Sequence, residues 1–304
     1  MRRTVLLIAA VFAAVFAVGG VALAATLNGT NGADFLVGTD SRDTISGLGG
    51  NDTVYGKAAL DLVYGGAGND RMNGGGGDDQ MNGQDGNDGL YGSWDEDVLV
   101  GANGDDTVYG YYGDDNMGGG NGTDKLYGEA GNDTLTDPSS PRRSIGRYDI
   151  NRSPGTEMHG GDGNDTIAAG YGTERVQGGN GNDTLKAFTN SSANSGGAAE
   201  NWPCLDSPFP GSPDSYFCWD GMEGGPGDDK IYGSDSPDDS TSGGTGADRI
   251  YGNGGGDSLD AVDGATTDFV DCGPGEDAVR VDGDGAETDT VTNCETVEYT
   301  DVQR

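Results

Sequence analysis

One apolar side chain recurs at every ninth position: Leu36, Ile45, Val54, Val63, Met72, Met81, Leu90, Leu99, Val108, Met117, Leu126 and Leu135. A period of nine fits neither the 3.6-residue repeat of a helix nor the two-residue alternation of a long strand, and it marks an internal repeat. Each apolar residue with its two neighbours predicts a short strand, the apolar side chain pointing into a thin core and the neighbours pointing out. The rest of each unit predicts a turn. Two units then close one coil of eighteen residues, and successive coils stack their strands in parallel about 4.8 Å apart. The expected fold is all-β: a parallel β-roll (β-solenoid) of nonapeptide repeats, two per coil.

Two further columns run in phase. Two residues before each apolar position stands an aspartate: Asp34, Asp43, Asp52, Asp61, Asp70, Asp79, Asp88, Asp97, Asp106, Asp115, Asp124 and Asp133. Five residues before each aspartate stands a glycine, from Gly29 and Gly38 through to Gly119 and Gly128. The unit reads G-G-x-G-x-D-x-U-x, and residues 65–73 (GGAGNDRMN) and 74–82 (GGGGDDQMN) match it throughout.

Around this regular block, residues 25–136, the chain divides further. Residues 1–24 have the form of a signal peptide: Arg2 and Arg3, an apolar run, and Ala22-Leu23-Ala24 as cleavage site. Residues 137–150 interrupt the register with an insertion carrying Arg142, Arg143 and Arg147, with Arg152 just beyond. Divergent repeats follow over 151–186, with Asp165, Glu174 and Asp183 at nine-residue spacing. A Ser/Gly/Pro-rich insertion occupies 187–214, and divergent repeats return over 215–260 with Asp220, Asp229 and Asp238, then Asp248 and Asp257 after a one-residue slip. The last segment, 261–304, keeps the rhythm at Asp268/Val270, Asp277/Val279 and Asp289/Val291 but brackets it with Cys272 and Cys294. A terminal cap of that kind closes the open edge of a solenoid.

Composition alone argues against folding. The formal charge is −36, sixty residues are glycine, and one apolar residue per repeat buries little surface against the ordering entropy. The columns therefore need a neutralising partner. Calcium takes six to eight oxygen ligands in flexible geometry, from carboxylates and backbone carbonyls. The glycine-rich turn offers carbonyls and the aspartate a carboxylate, so the metal candidates are the twelve aspartates from Asp34 to Asp133, with Asp165, Asp183, Asp229, Asp248 and Asp257 in the divergent repeats. The remaining acids, such as Asp78, Asp105 and Asp114, are expected to face solvent.

The repeat resembles that of the RTX, or hemolysin-type calcium-binding, family. That resemblance implies calcium-loaded β-rolls whose folding is driven by the metal, and it covers half the chain cleanly and more with degenerate copies. Many RTX proteins use an uncleaved C-terminal secretion signal; this chain carries an N-terminal one instead, so toxin-like behaviour does not carry over. The expected product is a secreted, non-enzymatic calcium-binding protein with a structural or interaction role. The four cysteines suit an oxidising compartment and allow three pairings; proximity favours Cys204–Cys218 and Cys272–Cys294.

Other signals are weaker. Tyr91, Tyr109 and Tyr127, eighteen apart, form one outer column, either as cross-strand aromatic pairs or as a surface for a glycan or cell-surface partner. Trp202, Phe209, Tyr216, Phe217 and Trp219 gather around the proposed Cys204–Cys218 staple, as a packed satellite or a recognition loop. The charge disfavours nucleic acid, and no stretch beyond the leader could span a bilayer. Two alternatives stand beside the leading reading. One is a β-helix lyase or glycosidase, disfavoured because the repeat accounts for nearly all acids and His159 is the one histidine. The other is a calcium-dependent surface adhesin.

Overall fold

The computed structural model describes residues 23–137, 156–169, 175–187, 221–233, 239–263, 266–283 and 289–300. The leader through residue 22, the Arg142–Arg152 segment, Glu174, Asp220, Asp238, the aromatic loop 202–219 and the Cys204–Cys218 pair lie outside them. The described residues form two parallel sheets of thirteen strands each. Strands alternate between the sheets: Thr26–Asn28 opens the first and Phe35–Val37 the second, and each strand pairs with the next but one in sequence. Among the described residues there is no helix, hence none long and apolar enough to cross a membrane.

The pairing register confirms the eighteen-residue coil. Thr26 pairs with Thr44, Thr44 with Leu62, and Tyr91 with Tyr109 and then Tyr127. Where residues 138–155 intervene, Lys125 pairs with Glu157, and across 188–220 Arg175 pairs with Gly221. The strands on either side therefore stay in phase. In the regular block most strands are six residues long, such as Arg71–Gly76 and Thr107–Tyr112, longer than the expected tripeptide. The first three residues of the following repeat remain hydrogen-bonded in the sheet. From Thr134–Thr136 onward the strands of the first sheet shorten to three residues.

The apolar column is the core. Ile45, Val63, Leu99 and Met117 from one sheet face Val54, Met72, Leu90 and Val108 from the other, each no more than 1% exposed. One position departs: Thr241, 1% exposed, takes the apolar place in register with Leu259, and the register shifts between Asp239 and Thr241. The core divides there, one cluster running from Leu36 to Ile231 and a second from Ile250 to Val281. At the end of the second cluster Cys272 and Cys294 are disulfide-bonded with Cα atoms 5.2 Å apart. They follow the adjacent strands Phe269–Asp271 and Thr290–Thr292, so the bond ties the last coil to the one before it.

Candidate metal sites along the turn edges

Each coil turns twice, and through the regular block an aspartate closes each turn. Asp34, Asp52, Asp70, Asp88, Asp106 and Asp124 lie on the edge leading from the first sheet to the second. Asp43, Asp61, Asp79, Asp97, Asp115 and Asp133 lie on the opposite edge. On that opposite edge the column continues through Asp165, Asp183, Asp229, Asp248 and Asp268. Apart from half-buried Asp34, all of these carboxylates are at most 3% exposed, as is Asp257 on the first edge.

The two oxygens of each carboxylate have different surroundings. Oδ1 accepts the backbone N–H of the aspartate one coil earlier: Asp61 N–H donates to Asp79 at 2.7 Å, Asp79 to Asp97 at 2.8 Å and Asp97 to Asp115 at 2.8 Å. On the opposite edge this ladder is unbroken from Asp43 to Asp289, across both long connections. Oδ2 is buried and has no hydrogen-bond partner among the described residues at Asp52, Asp61, Asp70, Asp79, Asp88, Asp97, Asp106, Asp115, Asp124, Asp133, Asp165, Asp183, Asp229, Asp248, Asp268 and Asp277. A buried polar atom left this way costs about 1–3 kcal/mol, and more when charged.

The glycine column gives that oxygen its room. A Cβ added at Gly47 would meet Asp52 Oδ2 at 2.2 Å and the Gly65 carbonyl oxygen at 2.4 Å. In the turn itself, a Cβ at Gly86 would fall 1.9 Å from the Gly68 carbonyl oxygen, one coil away, and Gly86 has φ +138°. Turn carbonyls and carboxylates are thus packed together between coils. Among the described residues no three His, Cys, Asp or Glu side chains cluster as a metal-binding group. A cation here would take its ligands from one or two carboxylates and the turn carbonyls, the hard oxygen donors that suit calcium.

Burial raises the carboxylate pKa values, opposed by the N–H bond at Oδ1 and reinforced by neighbouring acids. Asp97 and Asp268 rise to about 8. Asp79, Asp106, Asp133, Asp165 and Asp229 rise to about 7. Asp61, Asp88, Asp115, Asp124 and Asp248 rise to about 6.

The ends of the columns are built differently. Thr30 and Thr39 stand four residues before Asp34 and Asp43, where later repeats often carry glycine. Thr30 donates its N–H and hydroxyl to Asp34 Oδ2; Thr39 donates its N–H to Asp43 Oδ2 and its hydroxyl to Oδ1. At the far end Asp289 accepts the Asp268 N–H at one oxygen and the Asp282 N–H at the other, and Glu295 accepts that of Asp277. On the first edge Thr156 replaces an aspartate, accepting the Asp124 N–H and donating to Asp137. Asp268 and Asp277 were visible in the sequence as part of the rhythm, yet only the structure places them in the acid columns. Asp105 and Asp114 are exposed as expected, but each accepts a backbone N–H from the next coil, of Thr123 and Asn132. Asp78 is exposed as well.

A family profile for the RTX calcium-binding nonapeptide repeat matches residues 28–63, 58–90, 91–126, 119–136, 157–185, 222–239 and 238–268. No curated protein sequence matches the chain. The chain belongs to the RTX calcium-binding repeat family and is a calcium-binding β-roll protein.

Proposed function

We propose that this family member is exported and that its two aspartate columns hold calcium, whose binding drives the fold and presents a rigid scaffold for a structural or interaction role outside the cell. The row of buried Oδ2 atoms carries the reading: without a cation each is a desolvated carboxylate oxygen, and with one each is a ligand. The residues that would hold the ions are Asp52, Asp61, Asp70, Asp79, Asp88, Asp97, Asp106, Asp115, Asp124, Asp133, Asp165, Asp183, Asp229, Asp248 and Asp257, joined by Asp268 and Asp277. Asp34 and Asp43 close the N-terminal end through Thr30 and Thr39 instead. Bound calcium supplies positive charge that lets these carboxylates stay ionised while buried. Each of these aspartates holds the preceding coil through Oδ1, and Oδ2 and the turn carbonyls are offered to the ion. The leader at residues 1–24 supports export, and scarce cytosolic calcium would keep the chain unfolded until it reaches millimolar levels outside.

The test is a calcium titration of residues 25–304 followed by far-UV circular dichroism, with magnesium as control. A cooperative coil-to-β transition with calcium alone supports the reading; a chain fully folded in chelator at neutral pH overturns it. Asp79→Ala should weaken the transition and Asp78→Ala leave it unmoved. Equal effects would refute the assignment of ligands.

A further inference from the structure

The outer face of the second sheet carries two aromatic stacks that end differently. Tyr91, Tyr109, Tyr127 and His159 stack in one column with ring centroids 5.6, 4.7 and 5.1 Å apart. Its N-terminal end is covered by a cation: the Arg71 guanidinium lies 4.4 Å over the Tyr91 ring. The second stack is Trp94 on Tyr112, 4.4 Å apart and within 10° of parallel. In register beyond Tyr112 comes Ala130, then Asp162, then Asn180. The stack therefore stops at Tyr112, whose side chain is 52% exposed.

A groove of about 590 Å³ opens there, within the size range of ligand sites. Tyr111 and Tyr112 wall one end, and Gly161, Gly179 and Gly225 line it further along. Its polar lining is acidic and amide: Glu129, Asp162, Glu223, Gln177 and Asn180. Gln177 donates to Glu223 at 2.9 Å and Asn180 to Asp162 at 2.7 Å, which fixes the carboxylates but leaves their charge in place. Among the described residues no Lys, Arg or His lines the groove, and the ion pairs Lys125–Glu157 and Arg280–Asp260 lie elsewhere.

We infer that this groove binds an oligosaccharide of amino sugars, one pyranose ring stacking on the uncovered face of Tyr112 and protonated amines lying toward Glu129, Asp162 and Glu223. Charge complementarity excludes uronic acids and favours amines, and an aromatic face attracts a cation as Tyr91 attracts Arg71. The groove lies on the face of a sheet whose backbone groups are engaged in the ladder, so an extended peptide would find no main-chain partners there. Side chains alone read the ligand, which suits a chain of rings carrying amines. The inference does not depend on the calcium assignment, because circular dichroism of the same sample reports whether the roll has formed.

The test is calorimetric titration of the full mature chain, in calcium and at physiological salt, with three probes: a glucosamine tetramer, its N-acetylated counterpart, and tetralysine. The glucosamine tetramer is expected to bind saturably and at least about tenfold more tightly than either control. Tyr112→Ala, and separately Ala130→Trp to fill the groove, should each weaken it about tenfold, within the range of a desolvated cation–aromatic contact. Tyr112→Ala also loses the stack on Trp94, worth about 0.5–1.5 kcal/mol, so circular dichroism in calcium is used to verify that both variants form the roll at the titration temperature. Three results would each overturn the inference: no saturable binding, tetralysine binding as tightly, or both variants binding like the parent.

Discussion

Asp97→Asn should act in opposite directions with and without calcium. The parent carboxylate is 1% exposed, accepts the Asp79 N–H through Oδ1, and has no hydrogen-bond partner for Oδ2 among the described residues. Burial, reinforced by Asp79 and Asp115, raises its pKa from 3.8 to about 8. Because the folded value lies above the unfolded one, ionisation opposes the metal-free fold. That fold is favoured below about pH 4 and loses this contribution as pH rises through about 8. At pH 7 roughly three pKa units separate the solution from the unfolded value, each worth about 1.4 kcal/mol, so the ceiling is about 4 kcal/mol. Water reaching the carboxylate and sharing of the proton along the column reduce it, and about 2–4 kcal/mol is expected. Asparagine keeps an oxygen for the Asp79 N–H and discards the charge. In chelator, followed by far-UV circular dichroism as pH is lowered, the variant should gain β structure at higher pH than the parent. In a calcium titration at pH 7 it should need several-fold more calcium, having lost a charged ligand. A variant that shifts both midpoints the same way, or neither, would refute the account of Oδ2 as a metal-facing oxygen.

Thr241→Val should stabilise the calcium-loaded roll by about 1–2 kcal/mol in urea unfolding, because the buried Thr241 hydroxyl has no partner among the described residues and valine keeps its shape; a loss of stability would mean the hydroxyl is satisfied. Leu48 is 49% exposed at φ +76°, in a column where Gly66, Gly75 and Gly120 also have positive φ. Leu48→Gly should melt higher than Leu48→Ala by the equivalent of about 1 kcal/mol, and the reverse order would contradict the backbone assignment. Reducing Cys272–Cys294 opens a 22-residue separation worth about 3 kcal/mol. Hydrogen exchange should then accelerate over 266–300 and stay unchanged over 44–136, whereas uniform acceleration would show that the cap supports the whole roll.

Much of this architecture is legible in the sequence because the repeat is strict. Ile45, Val63 and Leu99 could be assigned to the core from their spacing, and Asp61, Asp79 and Asp97 to a turn, since a period of nine leaves one geometry in which all copies are equivalent. The exceptions were harder. Thr30 and Thr39 are the visible signal that the first two repeats are built differently, but a threonine in a glycine column acquires meaning only once its hydroxyl is found on the aspartate four residues on. Asp105 and Asp114 are surface acids by composition, and their bonds to the next coil depend on a distance no periodicity states. Leu48, Lys57, Gln84, Ser93, Ala102, Tyr111 and Glu129 all hold positive φ, although their types disfavour it. The coil imposes that conformation, so tertiary context overrides local preference.

The eighteen-residue coil also has a mechanical meaning. Every strand lies across the long axis and is joined in sequence to the coil before and the coil after, so tension applied to the chain ends loads one rung at a time. A peeled coil releases eighteen residues of backbone, about 60 Å when fully extended. Extension would therefore proceed in equal steps through the regular block and resist at the disulfide-tied end. Built this way, the roll would lengthen in graduated steps, each set by the length of one coil.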